Sequence, residues 1–266
     1  MSDRLLRILG RSVVAALLAM NFAAVPSFAQ TKAPAKPEAK PAAAPAVKEA
    51  ADKPAIKMGK DEGKGFLARH EGFLADLKAT NGKVDVLFVG DSITDGWRRG
   101  GKKVFDANYG SQAPLNIGIG GDRTQHVIWR LQNGEVEGIS PKVAMLMIGT
   151  NNLSANTDEE IVAGITKCVT TLREKLPKTK VLLLGVFPRS AKPTDAARAR
   201  IKTINAAIAK LDDAGKTVKY LDIGEKFLDK EGNLTKEIMP DALHPNEKGY
   251  EIWAEAVKST LADLMK

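Results

Sequence analysis

The sequence predicts an α/β fold in which a five-stranded parallel sheet is covered by helices on both faces. Two observations lead to this prediction: short apolar runs alternate with longer amphipathic segments, and the apolar runs are nearly continuous. A strand that is buried on both faces needs such a continuous run. A repeated strand–helix order implies that the strands pair in parallel.

The predicted elements follow one another in the order that such a sheet requires. Strands are predicted at five apolar runs: 84–89, 114–119, 143–148, 181–186 and 218–223. Helices are predicted at five amphipathic segments: 65–77, 122–133, 157–176, 194–213 and 246–265. Asp158 and Glu159 suit the start of the third helix, because acidic side chains stabilise the positive end of a helix dipole. The first helix precedes the sheet and is expected to pack on its outside.

The first 29 residues have the layout of a secretory signal peptide. Three arginines before residue 12 are followed by an apolar run over 13–25 and a small-x-small site that ends at Ala29. The run is shorter than the roughly 20 residues that span a bilayer. We therefore expect cleavage after Ala29, no stable membrane insertion afterwards, and a periplasmic or secreted protein.

Residues 30–63 are predicted to be a disordered spacer, which leaves 64–266 as the folded domain. Residues 31–60 hold 10 Ala, 5 Pro and 7 Lys and no aromatic residue. Such a segment has too little apolar bulk to offset its ordering entropy. Contact between this basic spacer and an anionic polymer of the cell envelope is left open.

The charge of the chain lies mostly in these N-terminal segments. The whole chain carries a net +8, but residues 1–60 hold 10 of its 40 Lys and Arg and 4 of its 32 Asp and Glu. Residues 61–266 therefore hold 30 Lys and Arg and 28 Asp and Glu, a net charge of only +2. The domain lacks the basic footprint of a nucleic-acid-binding protein, so no nucleic-acid partner is expected.

A single cysteine, Cys168, excludes an internal disulfide bond. It lies within the predicted third helix, where a free cysteine is ordinary core packing. Trp97 and Trp129 are also expected in the core, with a substrate-contact role left open. His70 is expected at the surface or in packing.

Four polar segments carry the residues that could do chemistry, and three of them directly follow predicted strands. They are Gly90-Asp91-Ser92, Asn116-Ile117-Gly118-Ile119-Gly120-Gly121-Asp122, Gly149-Thr150-Asn151-Asn152 and Asp241-Ala242-Leu243-His244. The carboxyl ends of parallel strands lie on one edge of a sheet, so these segments should converge there.

Ser92 and His244 are the candidate nucleophile and base. A serine hydroxyl needs an adjacent base to attack near neutral pH, and the chain has only three histidines. Asp241 is three residues before His244, a spacing that lets its carboxylate hold one ring nitrogen while the other faces Ser92. Asp-x-x-His is also half of a metal site, but no further His or Cys cluster completes one, so no metal is expected.

Acyl transfer also needs fixed donors for the oxyanion that develops. The backbone N–H groups of Ser92 and Gly121 and the side-chain amide of Asn151 are the candidate oxyanion hole. The glycine-rich segment could instead be a plain turn or a phosphate-binding loop. The dinucleotide spacing and the Walker lysine are absent, so no cofactor is expected. His126 lies close enough to line a cleft, and we leave open whether it contacts substrate or is structural.

These segments, in this order, resemble the four blocks of the SGNH (GDSL-type) hydrolases. The resemblance covers about residues 66–265. Segments 90–97, 116–130 and 149–152 look most like the platelet-activating-factor acetylhydrolase catalytic-subunit branch. The resemblance implies a flavodoxin-like three-layer α/β/α fold and ester hydrolysis without a cofactor. Asn152 departs from the pattern, since many members carry Asp there.

The resemblance also implies a role for each matching residue. Ser92 becomes the nucleophile, His244 the base and Asp241 its orienting acid, and Gly121 and Asn151 become oxyanion donors. The usual nucleophile elbow Gly-x-Ser-x-Gly is absent, which argues against the other large esterase fold.

The sequence thus predicts a secreted serine esterase that acts on a small-molecule or glycan ester. A short acyl group, acetyl on carbohydrate in particular, is the expected substrate, on grounds of location and family habit. The alternatives are an esterase of longer acyl chains or lysophospholipids, and a non-catalytic envelope module that binds glycans.

Overall fold

Five short apolar strands form the centre of the molecule in a computed structural model that describes residues 49–266. The predicted signal peptide and residues 30–48 of the predicted spacer lie outside the described residues. The strands are β1 Val86–Gly90, β2 Pro114–Asn116, β3 Val143–Met147, β4 Lys180–Leu184 and β5 Val218–Leu221. Every residue of β1 and β3 is buried, which explains their unbroken apolar sequence.

The strands form one parallel sheet in the order β2-β1-β3-β4-β5. The chain builds outward from β1 to β2 on one side, and to β3 and beyond on the other. The strand order therefore reverses between β1 and β3, where open α/β sheets bind their ligands. The prediction of a five-stranded parallel sheet is confirmed.

Helices cover both faces of this sheet. They are α1 Lys64–Ala79, α2 Ser92–Asp95, α3 Lys102–Tyr109, α4 Thr124–Gln132, α5 Asp158–Lys175, α6 Ala196–Ile208 and α7 Glu247–Leu264. Leu87 and Val89 of β1 belong to a core shared with α1, α4, α5 and α6. Val86 and Phe88 face the opposite core, which contains residues of α3 and α7. The three-layer α/β/α architecture is thus confirmed.

The helix α3 is a difference from the sequence-based prediction. It has eight residues, and only Val104 and Tyr109 of them are buried. Two apolar contacts over two turns are too few to produce a recognisable helical periodicity. Gly100 and Gly101 directly before the helix are typical of a loop, which makes the helix harder to predict from the sequence.

Residues 49–57, which the sequence analysis assigns to the spacer, pack against the helix α4. Ala51 is only 1% exposed, and its carbonyl accepts a 2.6 Å hydrogen bond from Thr124 Oγ1. The Ala55 N–H donates to the Gln125 carbonyl at 3.1 Å. Backbone hydrogen bonds and polar side chains hold this segment against α4, so its low apolar content does not reveal its order. Among residues 49–266, no helix is both long and apolar enough to cross a bilayer.

Candidate active site

Ser92 lies at the carboxyl end of β1 and is the first residue of the four-residue helix α2. The Asp91 side chain caps this helix, because its Oδ1 accepts the Ile93 N–H at 3.0 Å. Asp91 is fully buried, whereas Ser92 is partly exposed. The strand-to-helix turn therefore presents the Ser92 hydroxyl at the sheet edge.

The glycine-rich loop after β2 packs tightly against this turn. A Cβ built at Gly118 would lie 2.5 Å from the backbone nitrogen of Asp95 and 3.0 Å from the carbonyl oxygen of Asp91. Only a glycine fits this approach. A Cβ at Gly120 would lie 3.9 Å from the Cβ of Ser92, so this loop lies beside the hydroxyl.

The loop that precedes α7 places an imidazole against the same hydroxyl. Ser92 Oγ and His244 Nε2 are 2.8 Å apart, and His244 Nδ1 and Asp241 Oδ2 are 2.6 Å apart. The turn that joins Asp241 to His244 is tight: Ala242 has a φ of 56°. Asp241 Oδ1 also accepts the backbone N–H of His244 at 2.8 Å. The three side chains that the sequence singles out thus form one hydrogen-bonded chain.

The protonation of this chain follows from the Asp241 carboxylate. Partial burial works to raise the pKa of Asp241, but hydrogen bonds from the His244 side chain and backbone outweigh it and hold the pKa below its usual value. An ionised carboxylate only accepts hydrogen bonds. His244 Nδ1 must then carry the hydrogen, which leaves the lone pair of Nε2 for the Ser92 hydroxyl proton.

Gly121 and Asn151 lie on the loops after β2 and β3, next to each other. Gly121 is exposed and has a φ of 76°, in the left-handed region that favours glycine. Asn151 Nδ2 donates to the carbonyl of Asp122 at 2.9 Å, and within residues 49–266 its second N–H makes no hydrogen bond. The geometry therefore brings the predicted oxyanion donors to the sheet edge that carries Ser92.

A buried charge network lies beneath this loop, and sequence reasoning missed it. Arg130 Nε donates to Asp122 Oδ2 at 2.9 Å, and Arg130 also pairs with Glu135. The second Glu135 oxygen is 2.7 Å from His70 Nδ1. Lys57 Nζ lies 2.9 Å from Asp122 Oδ1. The one available signal was Arg130, which shares a helical face with apolar residues of α4.

His126 has a structural environment. Its Nδ1 accepts the backbone N–H of Arg123 at 3.0 Å, and its Nε2 lies 3.6 Å from a carboxylate oxygen of Glu49. Burial, and after it the neighbouring cations, lowers the pKa of His126 to about 3. The ring is therefore neutral, and its role is structural.

Asn152 is buried and connects the loop after β3 to α4. Its Oδ1 accepts the backbone N–H of Thr124 at 3.0 Å. Its Nδ2 donates to Gln125 Oε1 at 3.1 Å and to Asn156 Oδ1 at 3.0 Å. An amide, unlike a carboxylate, both donates and accepts here, which accounts for the departure at this position.

The remaining singled-out residues belong to the core or pack against it. Cys168 and Trp97 are fully buried. Burial raises the pKa of the Cys168 thiol, so it is not a reactive thiolate. Trp129 is partly buried and contacts Phe66 and His70. Within residues 49–266, no group of three or more His, Cys, Asp or Glu side chains is arranged to hold a metal ion.

Comparisons with known proteins show what this chain is similar to. The model of the GDSL-like lipase/acylhydrolase family matches residues 88–252. Platelet-activating factor acetylhydrolase IB subunit alpha2 of Rattus norvegicus is 36% identical over 188 residues, which is 70% of this chain and 78% of that protein.

Solved structures share the fold. A GDSL-like lipase from Bacteroides thetaiotaomicron matches with a TM-score of 0.63 and 20% identity, over 74% of this chain and 98% of that one. A catalytic mutant of an acetylxylan esterase from Geobacillus stearothermophilus matches with a TM-score of 0.55 and 19% identity, over 67% of this chain and 94% of that one.

Proposed function

This chain belongs to the GDSL-like lipase/acylhydrolase family and is a carboxylic ester hydrolase, and from that premise we propose that it removes short acyl groups, acetyl groups on carbohydrate above all, through an acyl-enzyme on Ser92. The observation that carries the proposal is the hydrogen-bonded chain from Ser92 through His244 to Asp241, with distances of 2.8 and 2.6 Å.

In the first half of the proposed reaction, Ser92 Oγ attacks the ester carbonyl carbon while its proton passes to His244 Nε2. The imidazolium that forms is stabilised by the Asp241 carboxylate. The bond from the carbonyl carbon to the alcohol oxygen then breaks, and His244 gives its proton to the departing oxygen. The acyl group remains on Ser92.

In the second half, water takes the place of the alcohol. His244 accepts a proton from the water as its oxygen attacks the acyl carbon. The bond to Ser92 Oγ breaks, the serine recovers its proton from His244, and the carboxylic acid leaves.

Both halves pass through a tetrahedral oxyanion. The backbone N–H groups of Ser92 and Gly121 and the free N–H of the Asn151 amide are the donors in this proposal. Loss of one such donor lowers turnover by about 10²–10³. The Asn151–Asp122 bond supports this role, because it fixes the direction of the amide.

Two observations support a short acyl group. The rat relative is named as an acetylhydrolase, and the Geobacillus structure as an acetylxylan esterase.

The signal-like layout of residues 1–29 supports a periplasmic or secreted location, where acetylated glycans of the envelope or the surroundings are within reach. Basic residues of the spacer could hold the enzyme to an anionic envelope polymer, and this contact forms part of the proposal.

The test is hydrolysis of p-nitrophenyl esters from acetate to palmitate by the purified protein, with Ser92→Ala as the matched control. We expect activity that peaks at acetate and is lost in Ser92→Ala, followed by acetate release from acetylated xylooligosaccharides. A peak at long chains, or turnover of lysophospholipid, would show instead that the substrate is an ester of a longer acyl chain. Turnover that persists in a folded Ser92→Ala protein would reject the acyl-enzyme, and no serine-dependent turnover at all would favour the glycan-binding module.

A further inference from the structure

Residues 49–57, the N-terminal strap, are held along the start of α4. Thr124 Oγ1 donates to the Ala51 carbonyl at 2.6 Å, and the Ala55 N–H donates to the Gln125 carbonyl at 3.1 Å. A Cβ at Gly164 of α5 would lie 2.7 Å from the Ala51 carbonyl oxygen. These contacts with two helices define where the last residue of the strap lies.

That last residue is Lys57, and it bonds to both neighbours of Gly121. Its Nζ donates to the Gly120 carbonyl at 2.6 Å and to Asp122 Oδ1 at 2.9 Å. The Lys57 side chain is 24% exposed and Asp122 is fully buried. Hydrogen bonds of an ammonium to a carboxylate are short and about twice as strong as neutral ones. Lys57 therefore bridges the Gly120 carbonyl, which belongs to the peptide unit that carries the Gly121 N–H, and the side-chain carboxylate of Asp122.

The rest of the loop offers Gly121 little support of its own. Gly120 and Gly121 are exposed, and a backbone bond from the Asp122 N–H to the Ile119 carbonyl, at 3.2 Å, closes the turn. A glycine with a positive φ is conformationally free. Oxyanion donors work only when they are fixed before the reaction. Arg130 and Asn151 hold Asp122 from outside the loop, and Lys57 adds a hydrogen bond to the Gly120 carbonyl, on the peptide unit that carries the Gly121 N–H.

We propose that Lys57 is a positioning residue that holds the Gly121 N–H toward the oxyanion, so that the N-terminal strap is a part of the catalytic unit. The inference rests on the proposed oxyanion role of Gly121. Lys57 acts through the Gly120 carbonyl and the Asp122 side chain, and it need not contact the substrate.

The test compares Lys57→Met with Lys53→Met in the full chain. Lys53 is on the same strap, but its side chain is 75% exposed and its one ion pair within residues 49–266 is with Asp52 at 3.8 Å. For Lys57→Met on p-nitrophenyl acetate we expect kcat to fall by about 10–100-fold with KM changed by less than about threefold. Lys53→Met should match the wild type, and Lys57→Arg should recover part of kcat.

Active-site titration with diethyl p-nitrophenyl phosphate separates positioning from folding. The reagent counts reactive Ser92 sites, so an unfolded fraction lowers the count, whereas a misplaced donor lowers the rate at each site. If Lys57→Met is poorly folded, Lys57→Gln, which keeps a neutral donor, takes its place in the same comparison.

A kcat per titrated site within about twofold of Lys53→Met would overturn the inference, because a lost positioning contact costs more than that. In that case a Ser92→Ala control without activity would leave the proposed function standing. Activity in Ser92→Ala would instead reject the proposed function itself.

Discussion

The Tyr250 hydroxyl donates a 2.7 Å hydrogen bond to the backbone carbonyl of Ile93. Ile93 is the second residue of α2, directly after Ser92, and Tyr250 belongs to α7, the helix that follows His244. Tyr250 is 1% exposed. One buried hydrogen bond therefore connects the helix that begins at the candidate nucleophile to the helix that follows the candidate base in the chain.

Tyr250→Phe should lower both stability and turnover, because it removes this connection and leaves a buried carbonyl without its donor. We expect the free energy of unfolding to fall by about 1–3 kcal/mol and kcat on p-nitrophenyl acetate to fall severalfold. Tyr220→Phe is the control, since Tyr220 OH makes a 3.2 Å hydrogen bond to Asp222 away from this site. Equal kcat values for the two variants would show that the bond has no part in aligning Ser92 with His244.

Sequence analysis found those residues whose positions in the fold follow from short, continuous segments of sequence. The strands are continuous apolar runs, and Ser92, Asn151 and Gly121 each follow one of them closely. Parallel pairing then brings them to one edge whatever the details of packing. The Asp241–His244 pair is within one turn of chain, so its spacing alone predicts the contact.

The residues that sequence analysis missed depend on contacts between distant segments. Lys57 reaches Asp122 across 65 residues of chain, and nothing in an Ala-, Pro- and Lys-rich segment marks one lysine for such a partner. The core-facing Arg130 does predict a buried counter-ion, but periodicity cannot say which acid supplies it.

Asp241→Asn should remove most of the activity while keeping the fold. The amide cannot stabilise the imidazolium and permits the wrong tautomer of His244, a loss on the order of 10⁴ in kcat. Activity should also fall in acid, because a protonated His244 cannot accept the Ser92 proton. Hydrogen bonds from His244 keep the pKa of Asp241 below its usual value against the effect of burial.

The control for this variant is Asp229→Asn. Asp229 likewise accepts hydrogen bonds from its own loop, including the Asn233 N–H at 2.7 Å, but it is not bonded to a histidine. Its variant should keep the wild-type kcat and pH profile. If the Asp241 variant retained near-normal turnover, the orienting role of this carboxylate would be wrong.

Asn151→Ala should lower kcat by about 10²–10³ with a modest change in KM, because an oxyanion donor acts in the transition state. Asn133→Ala serves as the control, since that exposed amide donates to the Trp129 carbonyl at 2.7 Å, within its own helix end and away from Ser92. Steady-state kinetics on p-nitrophenyl acetate separates the two parameters. A change confined to KM would mean that Asn151 binds the ground state.

Arg130→Met should destabilise the fold strongly. Arg130 is fully buried between Asp122 and Glu135, and its loss leaves two carboxylates without their shared cation. Breaking a buried ion pair costs about 3–5 kcal/mol, measured here by urea unfolding. Arg99→Met, which removes a 68% exposed partner of Asp95, should cost less than about 1 kcal/mol. Similar losses in both variants would contradict the structural importance of the buried network.

Asp91 should make the stability of this protein fall as the pH rises toward neutrality. Burial raises the pKa of Asp91 to about 7, and the negative charge of Asp122 adds to the shift. In the unfolded chain an aspartate titrates near pKa ~3.9. Between these values the folded protein holds a proton that the unfolded chain has released, so raising the pH favours unfolding. The stabilisation is complete below pH ~4 and is lost as the pH passes about 7.

Asp91→Asn removes this ionisation and keeps an oxygen that can accept the Ile93 N–H. Thermal or urea unfolding at pH 5 and pH 8 should therefore show the wild type losing about 2–3 kcal/mol more than Asp91→Asn over that interval. Asp106→Asn, which changes an exposed carboxylate paired with Lys102, should follow the wild type. If the wild type and Asp91→Asn lost stability in parallel, Asp91 would have to be ionised throughout this range, with a partner for its second carboxylate oxygen. That oxygen has no hydrogen-bond partner among residues 49–266, which is why we expect the proton to remain on Asp91 at pH 5.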